Sequence, residues 1–250
     1  MPIKVGEVEA LFRYPVKSMG GERLEVADLG WHGFDGDRRL AFRRADDRGG
    51  FPWLTASTLP ELILFAPQRR EPVVDGNLPT HVCTPGGEEL AVFGQELATE
   101  VGSRHGSPVV MMHLNRGIFD EASISVIASA TVGEIGRLAA HRPDVRRFRP
   151  NILIASLRSV PFEEDEWVGG VLSFGETKEA AAIGITNRDE RCSMVNYDPD
   201  STRPAPEVLK AIVRVRDNKA GVYGTVTRRG RLAVGQPIFF EPAAEHREHA

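Results

Sequence analysis

At 250 residues, 41% hydrophobic and 26% charged, the chain is long enough to bury a sizeable core without disulfides, and its globular composition argues against a disordered chain or a coiled coil. Thirty-one basic against 35 acidic side chains leave a formal net charge of −4, so no global positive field draws in nucleic acid or an anionic membrane. Two cysteines, Cys83 and Cys192, exclude a disulfide-rich scaffold, an iron–sulfur cluster and a four-thiolate zinc site.

The opening residues have neither the apolar core of a signal peptide nor the acid-poor composition of a transit peptide. No apolar run reaches the roughly 18 residues that span a bilayer. A cytoplasmic protein with no membrane and no nucleic-acid partner is expected.

Along the chain, 4–14 alternates as a strand, 23–29 reads as a second, and 38–44 as a third after the turn Gly33-Phe34-Asp35-Gly36-Asp37. A short apolar strand is expected at 62–65, and 81–84 with 89–93 read as a hairpin around Pro85-Gly86-Gly87. The apolar pattern is weakest between about 95 and 108, which marks a boundary between domains. Strands follow at 109–114 and 123–128. Ser129 is placed to cap a helix from 131 to about 141. The apolar run 151–155, then 171–174 and 181–185, continue the strand pattern, and 205–210 reads as a short helix. Strands at 222–227 and 232–240 precede a polar tail carrying His246, Glu248 and His249, read as solvated. The pattern is that of a β-rich α+β protein, a mixed sheet or barrel with a few short helices.

The standard phosphate-loop, dinucleotide, zinc-helix and nucleophile-elbow signatures are absent. The acidic run 163–166 reads as a solvated loop, since adjacent like charges repel. Four segments stand above this background. In Tyr14-Pro15-Val16-Lys17-Ser18, proline ends the strand and presents an ammonium and a hydroxyl together, suited to an anion or simply solvated. The glycine turn leaves Asp37 and Arg38 at the mouth of the next strand, where Arg38 either pairs with Asp37 or offers its fork to an anion. Arg146-Arg147-Phe148-Arg149-Pro150-Asn151 leads directly into a buried strand. Its cations need either a ligand or the acidic run at 163–166. In Arg191-Cys192, with Asn196 and Asp198 downstream, the thiol is either a nucleophile and metal ligand or a small buried hydrophobe. Cys83 reads as structural.

Taken in order, RYPVKSMGGE, GFDGDRRLAF, WLTAS, RRFRPNILI, RCSMVNYDP and GVYGTVTRRGRLAVGQPIFF resemble the MOSC-domain proteins that carry an N-terminal MOSC-associated β-barrel domain, such as the mitochondrial amidoxime-reducing components and their bacterial relatives. The likeness runs from about 4 to 240. It implies an N-terminal β-barrel domain at 1–100 packed on a MOSC β-barrel domain at 101–242, with a disordered tail at 243–250. It also implies a molybdenum–pterin cofactor whose metal takes one cysteine thiolate. Cys192 matches that ligand, and soft thiolate ligation suits such a metal.

By the same resemblance, Lys17, Ser18 and Arg38 match the groups that hold the pterin phosphate. Arg149 and Asn151 match the segment that lines the cofactor, with Arg147 beside them. Thr55 matches a cofactor-side threonine, although Ala56 and Ser57 follow where an arginine is expected. Ser129 falls near the hydroxyl residue before the short helix. Asp198 is counted with Cys192 as catalytic. A substrate-facing tyrosine is replaced by Val226, with Tyr223 three residues earlier. The implied reaction is reduction of small N-hydroxylated substrates, with electrons from a separate ferredoxin- or cytochrome-type protein because two cysteines cannot hold a cluster. Rival roles are a sulfur carrier holding a persulfide on Cys192, a metal-free enzyme acting on N–O compounds, and a non-catalytic cofactor-storage module.

Overall fold

The computed structural model describes residues 2–70 and 77–243. The tail expected at 243–250, with its two histidines, lies outside them from residue 244. Strand β1 (Ile3–Arg13) ends just before Tyr14-Pro15, where proline forces the break. The single strand expected over 23–29 is two, β2 (Glu22–Leu24) and β3 (Val26–Gly30), because its halves pair with different neighbours. The glycine turn sits between β4 (Gly33–Phe34) and β5 (Leu40–Arg44). The apolar segment at 62–65 is not a strand. Pro60 opens a 3-10 turn over Pro60–Leu64, since its fixed φ and missing N–H suit the first helical position. Strands β6 (Ala66–Gln68), β7 (His81–Cys83) and β8 (Glu89–Ala91) form one small sheet that contains the expected hairpin.

The stretch read as weakly apolar holds helix α1 (Gln95–His105). Its buried stripe is only Leu97 and Val101 beside Gly102, and Gly106 ends it with φ 82, the left-handed cap that glycine adopts freely. After β9 (Val109–His113) and β10 (Ile124–Ala128) comes α2 (Ser129–Ala139). Ser129 begins this helix rather than capping it, and its hydroxyl donates to Ile154 O at 3.4 Å. The cap is Glu164, which accepts from Ala128 N at 3.3 Å and from Thr131 Oγ1 at 2.8 Å. The acidic run is therefore not a solvated loop. Glu163 and Glu164 are buried, while Asp165 pairs with Arg216 at 3.2 Å and Glu166 with Arg158 at 2.7 Å.

The remaining elements are β11 (Ile152–Ser156), β12 (Val171–Phe174), β13 (Ala181–Glu190), α3 (Glu207–Arg216), β14 (Lys219–Arg228), β15 (Gly230–Ala233) and β16 (Pro237–Glu241). Seven strands close into a barrel in the order β1-β11-β10-β14-β13-β12-β16 and back to β1. Every neighbour pair is antiparallel except β10 with β11, the two strands that α2 connects. Alternate side chains divide between two cores. Val8, Leu11, Val126, Ile152, Ile183 and Val222 fill the barrel, while Ala10, Phe12, Ile127 and Leu153 face α2 and α3 through Val132, Ile135, Val208 and Ile212. β10 is buried on both faces, which is why its sequence is apolar except for Ser125, whose hydroxyl is hydrogen-bonded to Asp189.

A third core, centred on Leu40, Phe42, Leu62, Phe65 and Val101, joins the β5–β9 ribbon to α1 and the small sheet. Between the barrel end and this third core, four segments meet: the 14–19 loop, the turn before β5, the 147–151 entry to β11, and the exit of β13.

Candidate functional site

At the base of this junction lies Asp37, which is fully buried. Its carboxylate accepts from Tyr14 N at 2.7 Å, from Asn151 Nδ2 at 3.1 Å and from the Arg38 guanidinium. Asn151, 1% exposed, returns its oxygen to Ser125 N at 3.1 Å and to Arg38 at 3.4 Å. Arg38 also donates to Arg149 O at 3.0 Å. So Arg38 does both things the sequence left open: it pairs with Asp37 and still lines the pocket above.

The Tyr14 ring supports two guanidiniums, Arg149 at 4.2 Å and Arg38 at 4.9 Å from its centroid. Burial pushes the Tyr14 phenol up to about 12, against the opposing pull of these arginines. Burial also draws Arg149 down to about 10, with the like charge of Arg38 adding to it. Arg149 donates to Met19 O at 2.7 Å and has no carboxylate within ion-pair distance among the described residues. Lys17, 7% exposed, donates to Asp120 at 2.8 Å and Ile118 O at 3.4 Å. Burial lowers the Lys17 ammonium below its ordinary range, against Asp120, which raises it.

Three site residues hold left-handed backbone without being glycine: Ser18 at φ 68, Arg38 at φ 50 and Arg149 at φ 50. This turns their side chains or amides into one space.

Across the pocket, Arg191 turns inward. It donates to Ala220 O at 2.7 Å and Phe148 O at 2.8 Å, and it pairs with buried Asp189 at 2.8 Å. A Cβ on Gly221, at φ 79, would fall 3.0 Å from this guanidinium, so glycine there makes room for it. Arg191 therefore serves the wall, its charge matched by Asp189, rather than standing free beside the thiol. Asp189 also accepts from Ser125 Oγ at 2.9 Å, and burial pushes its carboxyl up to about 6. Tyr223, pushed up by burial and then by Asp189, lines the same pocket. Cys192 is a free, exposed thiol at the start of the Ser193–Asn196 turn, on the pocket wall.

The fold thus brings Lys17, Ser18, Arg38, Arg147, Arg149 and Cys192 to one pocket of about 80 Å³. Asn151 lies beneath it as a support. Thr55 does not line it, and its carbonyl accepts from Thr58 N and Leu59 N at 3.0 and 2.9 Å. Ser129, on α2, is tied to Ile154 of β11. Asp198 does not line the pocket. Its Oδ1 holds its own turn through Ser201 Oγ at 2.8 Å and Ser201 N at 3.0 Å, and its Oδ2 anchors Arg147 at 3.2 Å. Nor do Arg146–Arg149 meet the acidic run: Arg146 pairs with Asp144 and Asp200 instead. Asp120, Ser125, Asp189 and Tyr223 were not singled out as site residues, and of these only Tyr223 sits in a segment that the motifs marked.

The geometry defines a β-barrel protein with a cation-lined pocket and one thiol at its wall. The chain belongs to the MOSC domain family: the family model for the MOSC domain matches residues 102–239, and that for the MOSC N-terminal beta barrel domain matches residues 5–122. The fold is similar to that of the YuaD protein from Bacillus subtilis, at 15% identity and a TM-score of 0.53, over 98% of this chain and 100% of that one. YiiM from Geobacillus stearothermophilus gives 19% identity and a TM-score of 0.37, over 48% of this chain and 54% of its own. YiiM from Escherichia coli gives 14% and 0.35, over 49% and 55%. No curated protein sequence matches the chain.

MOSC domains are associated with a molybdenum–pterin cofactor, and the donor set here fits one. Five cations, Lys17, Arg38, Arg147, Arg149 and Arg191, against three carboxylates, Asp120, Asp189 and Glu190, line the pocket, which favours an anionic group such as a phosphate. Among the described residues no three His, Cys, Asp or Glu side chains converge as a metal site. No helix of the described residues is long and apolar enough to cross a membrane.

Proposed function

We propose that the pocket binds a molybdenum–pterin cofactor through its phosphate, and that the protein reduces small N-hydroxylated compounds with electrons from a separate ferredoxin- or cytochrome-type protein. The observation that carries this reading is the convergence of Lys17, Ser18, Arg38 and Arg149 with the exposed thiol of Cys192 in one pocket. The bound group supplies two-electron redox chemistry at an N–O bond.

The chain's own residues supply position and charge. Lys17, buried, and Arg149, half-buried, offer cationic hydrogen bonds that are little diluted by water. Asp37 and Asn151 fix the Arg38 fork so that one edge remains on the pocket. Cys192 gives a thiolate ligand from a turn whose backbone is set by Val195 N bonding Cys192 O at 3.3 Å. Asp189 and Tyr223 place a carboxyl near its midpoint and a phenol on the pocket wall, where protons consumed by the reduction are held.

The test is metal and pterin analysis of the purified chain and of Cys192→Ser, with benzamidoxime turnover under a ferredoxin or cytochrome donor. Molybdenum with pterin in the wild type, and loss of molybdenum in Cys192→Ser, are expected. Molybdenum retained by Cys192→Ser at wild-type stoichiometry overturns the ligand assignment, and absence of turnover overturns the reductase reading. The exposed thiol also suits a sulfur carrier, and a persulfide on Cys192 in metal-free protein favours that role.

A further inference from the structure

The pocket's free volume is about 80 Å³, while sites for small organic cofactors run to ~300–1,000 Å³. In this arrangement it holds a phosphate-sized anion, and a fused-ring group needs the mouth to open further. Of the 114–123 arm between β9 and β10, Asp120 lines the pocket. Leu114 N donates to Arg39 O at 2.9 Å and Ile118 N to Arg38 O at 3.0 Å, so the arm is stitched to the turn that presents Arg38. Lys17 Nζ reaches Ile118 O and then Asp120 Oδ1 at 2.8 Å. The Phe119 ring lies 6.0 Å from the Arg38 guanidinium. One residue beyond Asp120, Glu121 accepts from Asn187 on β13, so the arm reaches the strand that leads to Cys192.

The Lys17–Asp120 pair is lopsided. Lys17 is 7% exposed and held in the wall, whereas the Asp120 side chain is 70% exposed. Water already solvates Asp120, so releasing it costs little, while Lys17 left alone is a desolvated cation that requires an anion. A carboxylate brings one charge. A phosphate monoester brings up to two and three acceptor oxygens to the same ammonium, with Arg38 and Arg149 alongside.

We propose that Asp120 is a built-in stand-in for the ligand phosphate: its carboxylate occupies the anion seat of Lys17 and latches the 114–123 arm at the pocket until a phosphate displaces it. The latch rests on the phosphate-seat reading above. Binding at the seat and opening of the mouth are then one exchange of anions. The protein closes the pocket when the ligand is absent and frees it when the ligand's phosphate arrives.

The experiment uses the full chain and inorganic phosphate and pyrophosphate as probes. Affinity is measured by calorimetry for wild type, Asp120→Asn and Asp120→Ala, and backbone hydrogen exchange is followed at Leu114 and Ile118. Removing the internal competitor tightens binding about tenfold in both variants. Saturating pyrophosphate speeds exchange at the two amides in the wild type. Equal or weaker binding by both variants overturns the latch and leaves the phosphate seat standing, as does unchanged exchange at the two amides on binding. Binding by none of the three proteins overturns the seat and the latch together.

Discussion

Asn151 Nδ2 donates to Asp37 Oδ2 at 3.1 Å, and this bond joins the entry of β11 to the turn that carries Arg38. The Asn151 oxygen serves Ser125 N on the opposite side, so one amide ties together three segments that together span more than a hundred residues of chain. Replacing it with alanine leaves Asp37 short of a donor and Ser125 N without its acceptor, both buried. The expected cost is about 3 kcal/mol, or a melting temperature lower by roughly 6–12 °C. Calorimetric unfolding of Asn151→Ala checks this; a shift under one degree would show that the bond carries no weight.

Glu164 sets a pH dependence remote from the pocket. Burial is the main cause that pushes its carboxyl up from 4.5 to about 7. The folded chain therefore holds a proton that the unfolded chain releases between those values. Its contribution to stability is full below about pH 4.5 and is lost as pH rises through 7, on the order of 3 kcal/mol. Glu164→Gln keeps an acceptor for Ala128 N and Thr131 and removes the titration. Denaturation midpoints between pH 4.5 and 8 should fall for the wild type by an increment that the variant lacks.

Ser18 holds φ 68, where glycine rests without strain. Ser18→Gly is expected to raise stability by about 1 kcal/mol while weakening phosphate binding, since the hydroxyl leaves the pocket. A variant that gains stability and binds phosphate as well as the wild type would remove Ser18 from the anion seat. Chemical unfolding and calorimetry on the same preparation separate the two effects.

Much of the barrel was legible in the sequence because its strands are short, apolar and bounded by turn residues. β12 spans 171–174 as read, and β10 and β11 lie within a residue of expectation. α1 escaped because two side chains make its stripe, and Pro60 turned a strand-like run into a 3-10 turn. The pocket was legible where a motif packs several anion-binding groups into a few residues, as in Lys17-Ser18 and Arg147 to Asn151. The partners of Asp198, its own turn and Arg147, do not follow from its closeness in sequence to Cys192.

The sequence by itself determined the local matters: which runs become strands, where proline and glycine end them, and that cations and a lone thiol stand beside those ends. These follow from side-chain size, periodicity and backbone constraint within a few residues. The tertiary structure alone decided which charges meet. Arg191 faces Asp189 and not the thiol, Lys17 meets Asp120 across a hundred residues, and Glu164 caps a helix that begins 35 residues before it. Coulombic and hydrogen-bond partners are chosen by distance in space and by loss of water. Both are set only when the barrel has closed.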